Sequence, residues 1–354
     1  MFLENAWYAA AWSTELKDNV FSRTILNQPI LLFRKKDGTV AALEDRCPHR
    51  SVPLSAGKVV GDEIRCAYHG LLIASDGRCS RVPSQERIPQ AARIRSYPAL
   101  ERHGFIWIWT GEAERADPAS VPIFFRMTDP DFAATGGTKH VAANFELITD
   151  NLMDLSHVGF VHGKTIGTTE MGEKGQIRVE RYGKGVRVTR WVLDVPPPPT
   201  HFKTGLFKPG EMVDRWQIID FEPPSFVHIY VGSAPTGTGA PEGNRVGGLG
   251  LWIMNLMTPE TDTTSFYFWG VGRDFHTGNP QVTEFVHNEI SQAFDEDAEI
   301  LGLQQRAMST SAKNIPWVDL AADAGGLQSR RILRAMIREE KEGSNSPVKA
   351  AEPV

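Results

Sequence analysis

Residues 47–50 read Cys47-Pro48-His49-Arg50, and residues 66–70 read Cys66-Ala67-Tyr68-His69-Gly70. Sixteen residues separate His49 from Cys66, so the pattern is C-x-H, a spacer, then C-x-x-H. Each half offers one thiolate and one imidazole. Two sulfurs and two nitrogens suit zinc or an iron–sulfur cluster. A structural zinc site usually sets its two cysteines close together and its two histidines close together. Here the types alternate, which favours a cluster gripped by two loops from opposite sides. The third cysteine, Cys79 in Gly77-Arg78-Cys79-Ser80, has no histidine at ligand spacing and reads as a spectator.

The chain around these loops is β-rich. Ser22–Leu26, Ile30–Phe33 and Val40–Leu43 are short strand-like runs, the last two joined across Lys36-Asp37-Gly38. Gly104-Phe105-Ile106-Trp107-Ile108-Trp109 alternates like a buried strand, with its aromatics expected to fill the core of a small β-domain. The polar, turn-rich run Gly111–Pro118 places a domain boundary near residue 115. The division is 1–115 and 116–354.

A length of 354 residues suits two domains, and 41% apolar with 23% charged residues is ordinary for a globular enzyme. A net charge of −5 gives no reason to expect nucleic acid or an anionic membrane as partner. The start, Met1-Phe2-Leu3-Glu4, lacks the basic region of a signal peptide, and no apolar run approaches a membrane span. A cytoplasmic protein is expected, in which three cysteines point to metal or free thiol rather than disulfides.

The second region of interest is Asp150-Asn151-Leu152-Met153-Asp154-Leu155-Ser156-His157, followed by Val158-Gly159-Phe160-Val161-His162. A step of five residues is about 140° on a helix, so His157 and His162 cannot share one straight face. The helix must end or bend between them, with Gly159 the expected place. Two imidazoles and one carboxylate from elsewhere make the facial triad of a non-haem iron(II) oxygenase. A long helix is expected from Val282 to about Met308. Taken at about 100° per residue from Ile290, Asp297 falls about 20° away, inside the apolar stripe, while Asp295, Glu296 and Glu299 fall on the opposite, solvated side. A buried carboxylate needs compensation, and a metal ion supplies it. That singles out Asp297 as the third ligand; pairing with a buried Arg is the alternative.

Beyond the first helix, His140–Ile148 reads as a strand running into it. Paired runs such as Arg215–Phe221 with Phe226–Gly232 and Leu249–Met257 with Thr264–Val271 read as long antiparallel strands. Pro196–Pro199 and Gly232–Gly248 read as surface loops, with a lid the alternative. His228 and Asn255, polar residues in apolar strands, are candidates to face substrate. No Arg or Lys stands out to hold a substrate carboxylate or sulfonate.

Taken together, the Cys-His loops, the run Asn151–His162 and the late helical Asp297 resemble the oxygenase component of the Rieske non-haem iron oxygenases over nearly the whole chain. Trp7-Tyr8, Asp150–His157 and Asp323-Ala324-Gly325-Gly326-Leu327-Gln328-Ser329-Arg330 are most similar to the vanillate O-demethylase branch, which includes arylsulfonate methyl-monooxygenases and dicamba demethylase. The segment Gly232–Gly243 resembles the toluenesulfonate side of it.

The resemblance implies an α+β fold, an N-terminal Rieske [2Fe-2S] β-domain followed by a helix-grip catalytic domain with an antiparallel sheet around a long helix. It makes Cys47 and Cys66 ligands of the inner iron of the cluster, His49 and His69 ligands of the outer iron, and His157, His162 and Asp297 ligands of a mononuclear Fe(II). It implies NAD(P)H as electron source through a separate flavin and [2Fe-2S] reductase, O2 as co-substrate, and a head-to-tail homotrimer. In such a ring the electron crosses between subunits, with His69 of one and His157 of the next both bonded to Asp154. Asp154, three residues before His157, is expected to reach it along the helix, and Asn151 to touch the iron or its water. The reaction implied is O-demethylation of a vanillate-like aromatic acid with release of formaldehyde. The alternative is methyl hydroxylation of an aryl sulfonate or carboxylate. A Rieske electron carrier and a zinc-stabilised binding protein are the non-enzyme alternatives.

Overall fold

The turn at Lys36-Asp37-Gly38 closes a hairpin between Gln28–Arg34 and Val40–Glu44, as its residues require. Gly38 takes a φ of +83°, cheap only without a Cβ. The computed structural model describes residues 1–17, 20–163, 166, 175, 177–310 and 317–344. Phe21–Ile25 and Ser96–Tyr97 flank the hairpin to give a four-stranded sheet. A second four-stranded sheet runs in chain order through Lys58–Val60, Glu63–Arg65, Leu72–Ala74 and Cys79–Arg81. Leu31, Phe33 and Leu43 of the first meet Ile64 and Ile73 of the second in one core. Cys79 is buried in that core, in keeping with a packing role.

Trp7–Trp12, Phe105–Trp109 and Ala99–Arg102 form a third sheet. Phe105–Trp109 is buried at every position. Ile106 and Ile108 face one core, whereas Phe105, Trp107 and Trp109 pack with Phe226, Met254, Leu256 and Phe268. The aromatics therefore do more than fill a small β-domain: they join it to the larger sheet. A strand apolar on both alternations has to be covered on both faces.

That larger sheet has seven antiparallel strands. Ile177–Tyr182, Gly185–Val195, Val213–Glu222, Phe226–Pro235, Leu249–Pro259 and Ser265–Arg273 follow one another as a meander, and Ala133–Val141 adds beside the last. The strand Phe226–Pro235 runs into the Gly/Pro-rich stretch, so Gly232–Pro235 is sheet rather than loop. The long helix spans Pro280–Thr310 and sets Val286, Ile290, Phe294 and Leu301 against Ile219, Leu251, Ile253 and Trp269. This is the expected helix on an antiparallel sheet.

The helix Phe145–Met153 starts where Asn144 accepts a hydrogen bond from Glu146 N, 2.8 Å away. The strand before it ends at Val141 rather than running to Ile148. The last helix, Ala324–Ser344, lies across it. A Cβ at Gly326 would stand 2.8 Å from Asp150 Oδ1, so glycine allows this approach without displacing that carboxylate. Arg330 Nε then donates to Asp150 Oδ1 at 2.9 Å, and Arg330 also pairs with Glu146. The Asp323–Arg330 run thus clamps the helix that leads to His157. No helix among the described residues is long and apolar enough to cross a membrane.

Candidate metal centres

The two Cys-His loops are the same turn built twice. Cys47 N donates to Val52 O at 2.9 Å and Ser51 N to Cys47 O at 3.0 Å; Cys66 N donates to Leu71 O at 2.8 Å and Gly70 N to Cys66 O at 3.1 Å. Both turns close through a residue in the left-handed region, Ser51 at φ 57° and Gly70 at φ 72°. They bring His49 Nδ1 and His69 Nδ1 to 3.2 Å. Two nitrogens held at about 2.1 Å by one tetrahedral metal stand about 3.4 Å apart, so this spacing suits a shared iron. Cys47 and Cys66 are 2% exposed, while both histidines are exposed. Burial pushes the Cys47 thiol up and the neighbouring Cys66 adds to it, while backbone N–H groups of His49 and Arg50 pull it down. Buried sulfurs met by N–H donors, with imidazoles outside, fit an inner and an outer iron.

The second centre begins where the helix stops at Met153. Asp154 is extended (φ −97°, ψ 122°), and its carboxylate accepts from Ser156 N at 2.6 Å and Ser156 Oγ at 2.9 Å. This local turn competes with helix continuation, so the break falls before His157 and not at Gly159. Gly159 sits inside the one-turn helix Val158–Val161, which His157 and His162 flank. Their rings stand 5.2 Å apart at 73°. Asp297, 4% exposed on the long helix, comes up beneath them. His162 Nε2 is 3.2 Å and His157 Nε2 3.6 Å from Asp297 Oδ1, and one donor atom from each residue lies within 4.8 Å of the others. Two imidazoles and a carboxylate grouped this way fit one iron(II) with positions left open.

Each donor except His157 is braced. His162 Nδ1 lies 2.8 Å from Glu296 Oε2, and Asn151 Nδ2 donates to Asp297 Oδ1 at 3.0 Å. Asn151 therefore meets the carboxylate that faces the site. Glu296 was expected on the solvated side; a long side chain about 100° from Asp297 still reaches His162. A carboxylate on the far nitrogen of a metal-binding histidine orients the ring and raises its basicity. Burial works against charge on His162, but Asp297 and Glu296 outweigh it and its pKa is raised. Burial lowers the pKa of His157, against the pull of Asp297. Among the described residues His157 Nδ1 is buried without a well-aligned hydrogen-bond partner, although the Asp154 backbone pulls its pKa up. The expected side-chain bond from Asp154 is absent because Asp154 has left the helix and spends its carboxylate on Ser156.

The three donors line a cavity of ≈ 110 Å³ whose walls include Ile219, Ile229, Leu251, Ile253, Ile290 and Phe294. An apolar cavity of roughly 150 Å³ can hold a benzene ring, so this one is on the scale of a single-ring compound. Its polar lining is Thr200, His201, Thr204, Arg215, Gln217 and Glu289. Three of these sit on or beside the one-turn helix Pro199–Phe202, so the Pro196–Pro199 run leads into the cavity wall and not merely across the surface. Asp154 lines both this cavity and an outer groove that also includes Asn151, His157 and Trp317.

The structure does not bring His228 or Asn255 to the cavity. Along Phe226–Pro235, Ile229 and Val231 face inward, so His228 points to the other side of the sheet, against Phe124 at 6.2 Å. Asn255 is fully buried; its amide donates to Val227 O at 2.9 Å and accepts from Tyr267 Oη at 2.6 Å. It is a satisfied core polar group.

Two thiols and two imidazoles on twin turns, with a His/His/Asp face lining an apolar cavity, define an oxygenase with a Rieske [2Fe-2S] cluster and a mononuclear non-haem iron. Residues 6–98 match the Rieske [2Fe-2S] domain family and residues 141–339 the vanillate O-demethylase oxygenase C-terminal domain family. The chain is 40% identical to the toluene-4-sulfonate monooxygenase system iron-sulfur subunit TsaM1 of Comamonas testosteroni, over 97% of this chain and 99% of that one. It is 38% identical to a vanillate O-demethylase oxygenase subunit of Pseudomonas sp. strain HR199, over 98% of each. A crystal structure of dicamba monooxygenase bound to dicamba superposes with a TM-score of 0.88 at 31% identity, covering 96% of this chain and 99% of that one. The chain belongs to the Rieske non-haem iron monooxygenases, in the vanillate O-demethylase branch. Membership sets aside the electron-carrier and zinc-protein readings.

Proposed function

We propose that the chain removes the methyl group of a methoxylated, vanillate-like aromatic acid as formaldehyde. The observation that carries this is the one-ring apolar cavity with His157, His162 and Asp297 in its lining, in a chain whose relatives include vanillate and dicamba O-demethylases. Cys47, His49, Cys66 and His69 would hold the cluster, and His157, His162 and Asp297 the iron. Bound there, the metals supply electron storage and hydroxylation of a methyl carbon by O2. The protein's part is to position the ring, keep water out with its apolar walls, and orient the donors through Glu296 and Asn151. Asp154 would link clusters and irons of adjacent subunits; its presence in the lining of both the cavity and the outer groove supports this.

This reading includes a head-to-tail homotrimer, a cytoplasmic location, and electrons from NAD(P)H through a separate reductase. Several relatives are named as oxygenase components or as subunits of larger systems. It also divides the chain near residue 115, between the two matched segments. The second reading, hydroxylation of an aryl-sulfonate methyl group, is favoured by the relative at 40% identity named for toluene-4-sulfonate. A panel of methoxybenzoates against 4-methylbenzenesulfonate, run with a surrogate reductase, separates them: formaldehyde supports the first and a benzylic alcohol the second. Turnover of neither overturns both.

A further inference from the structure

Among the described residues, the wall of the cavity carries one arginine, Arg215, and a second, Arg190, stands close to it outside the lining. Arg215 and Gln217 alternate with Ile219 on the cavity side of Val213–Glu222. Arg190, on the adjacent strand, donates from Nε to Gln217 Oε1 at 2.8 Å. Arg215 is 7% exposed. Burial lowers its pKa to about 10, with the charge of Arg190 adding to the effect, so it stays protonated at neutral pH. Directly across the sheet from Arg215 is Ser233, and Ser233 Oγ lies 2.8 Å from His201 Nδ1. His201 is pushed down to about 3 by burial and then by the charge of Arg215, so its ring is neutral. In the tautomer in which the Ser233 hydroxyl donates to Nδ1, Nε2 carries the hydrogen and is a donor. Besides the metal-facing Asp297, the lining acids are Glu289, which Lys203 Nζ meets at 3.3 Å, and Asp154, whose charge acts on Arg190.

We infer that Arg215, with His201 beside it, is the anchor for the oxyanion of the aromatic substrate, a carboxylate or a sulfonate on the ring. It rests on the reading that this cavity holds the aromatic substrate. A guanidinium presents N–H groups in a fork that matches either oxyanion, and neutral His201 adds a donor without adding charge. The apolar remainder of the wall takes the ring. The reacting methyl group is thereby left for the His157, His162 and Asp297 donors that line the same cavity. Arg215 is then a specificity-determining residue, and the substrate class is an anionic, single-ring arene.

The test is calorimetric binding to the anaerobic holoenzyme of 4-methoxybenzoate, 4-methylbenzenesulfonate and the uncharged 4-methoxybenzamide. Wild type is expected to bind at least one anion more tightly than the amide, and which anion is tighter tells carboxylate from sulfonate. Arg215→Gln should weaken the preferred anion about 10- to 100-fold, the worth of a charge-assisted hydrogen bond, and leave the amide nearly unchanged. Arg215→Lys should give an intermediate loss, because charge remains and the fork does not, and His201→Phe a smaller one. Equal weakening of anion and amide in Arg215→Gln overturns the inference. So does a wild type that binds the amide as tightly as either anion, a result independent of whether the variants fold. Turnover is scored separately. Arg215-dependent anion binding without attack on the methyl group would overturn the proposed reaction and keep the anchor, and turnover that ignores Arg215 would do the reverse.

Discussion

Cys47, His49, Cys66 and His69 come from 23 residues of chain, whereas His157, His162 and Asp297 span 141. The cluster loops are held by their own backbone hydrogen bonds, each turn closing on itself. The mononuclear site has no such local frame. Its histidines flank a one-turn helix, its carboxylate arrives from a distant helix, and outside residues hold the parts together: Glu296 on His162, Asn151 on Asp297, and Arg330 on Asp150. A turn-built site carries its geometry in its sequence, while a packed site borrows its geometry from the fold. The two should accordingly fail differently.

Asp297→Ala puts the greatest strain on that contrast. It should remove the mononuclear iron and lower turnover by more than the roughly 100-fold that a lost outer partner can cost. The absorption and EPR signal of the cluster should be unchanged. Full iron with retained turnover would take Asp297 out of the site, and loss of the cluster signal as well would mean that the two centres are one structural unit. Glu296→Gln should act on the same iron more mildly, with affinity about 10- to 100-fold weaker by chelator competition. An unchanged affinity would make the 2.8 Å contact to His162 ornamental.

Asp154→Asn tests the junction of the two regions. Both metals should stay, because Asp154 contacts neither donor ring with its carboxylate. Reoxidation of the cluster in a single turnover should slow roughly tenfold, the lower range for outer partners of metal ligands. An unchanged rate would defeat the role of Asp154 as a link, whereas loss of iron would show that its turn with Ser156 mainly holds His157 in place.

The same contrast decides what could be read in the sequence. The alternation Cys-His, Cys-His identifies the cluster because both loops are local. Asp297 is legible for a different reason: helical periodicity puts a carboxylate into an apolar stripe, and that costs energy wherever the helix packs. Glu296 is not legible, since a wheel places a backbone position and says nothing of how far a side chain reaches. The sequence points to Gly159 for the helix break because the Asp154–Ser156 turn that causes it looks, in sequence, like three more helical residues. His228 and Asn255 stand out in the sequence as polar residues in apolar strands. One faces the wrong side by strand alternation, and the other is consumed by Val227 and Tyr267. Arg215 and His201 needed the fold, because the strand and the one-turn helix that carry them come side by side only in the folded cavity wall.

The smallest test lies inside the cluster site, at the left-handed position of the twin turns. Ser51 and Gly70 hold equivalent places at φ 57° and 72°. A left-handed conformation costs an L-residue about 1–2 kcal/mol, and glycine avoids this while losing about 0.4–1 kcal/mol through its freer unfolded chain. Ser51→Gly should therefore be close to neutral, stabilising by about 0.5 kcal/mol. Gly70→Ser should destabilise by about 1 kcal/mol, because it takes on the strain and sets a Cβ 3.2 Å from Pro83 Cγ. Denaturant midpoints followed by cluster absorbance read both. If Gly70→Ser is the neutral change and Ser51→Gly the costly one, the Ser51 side chain supports its turn in a way the Gly70 turn does without. The two loops would then be alike in hydrogen bonding alone and not in how each is held.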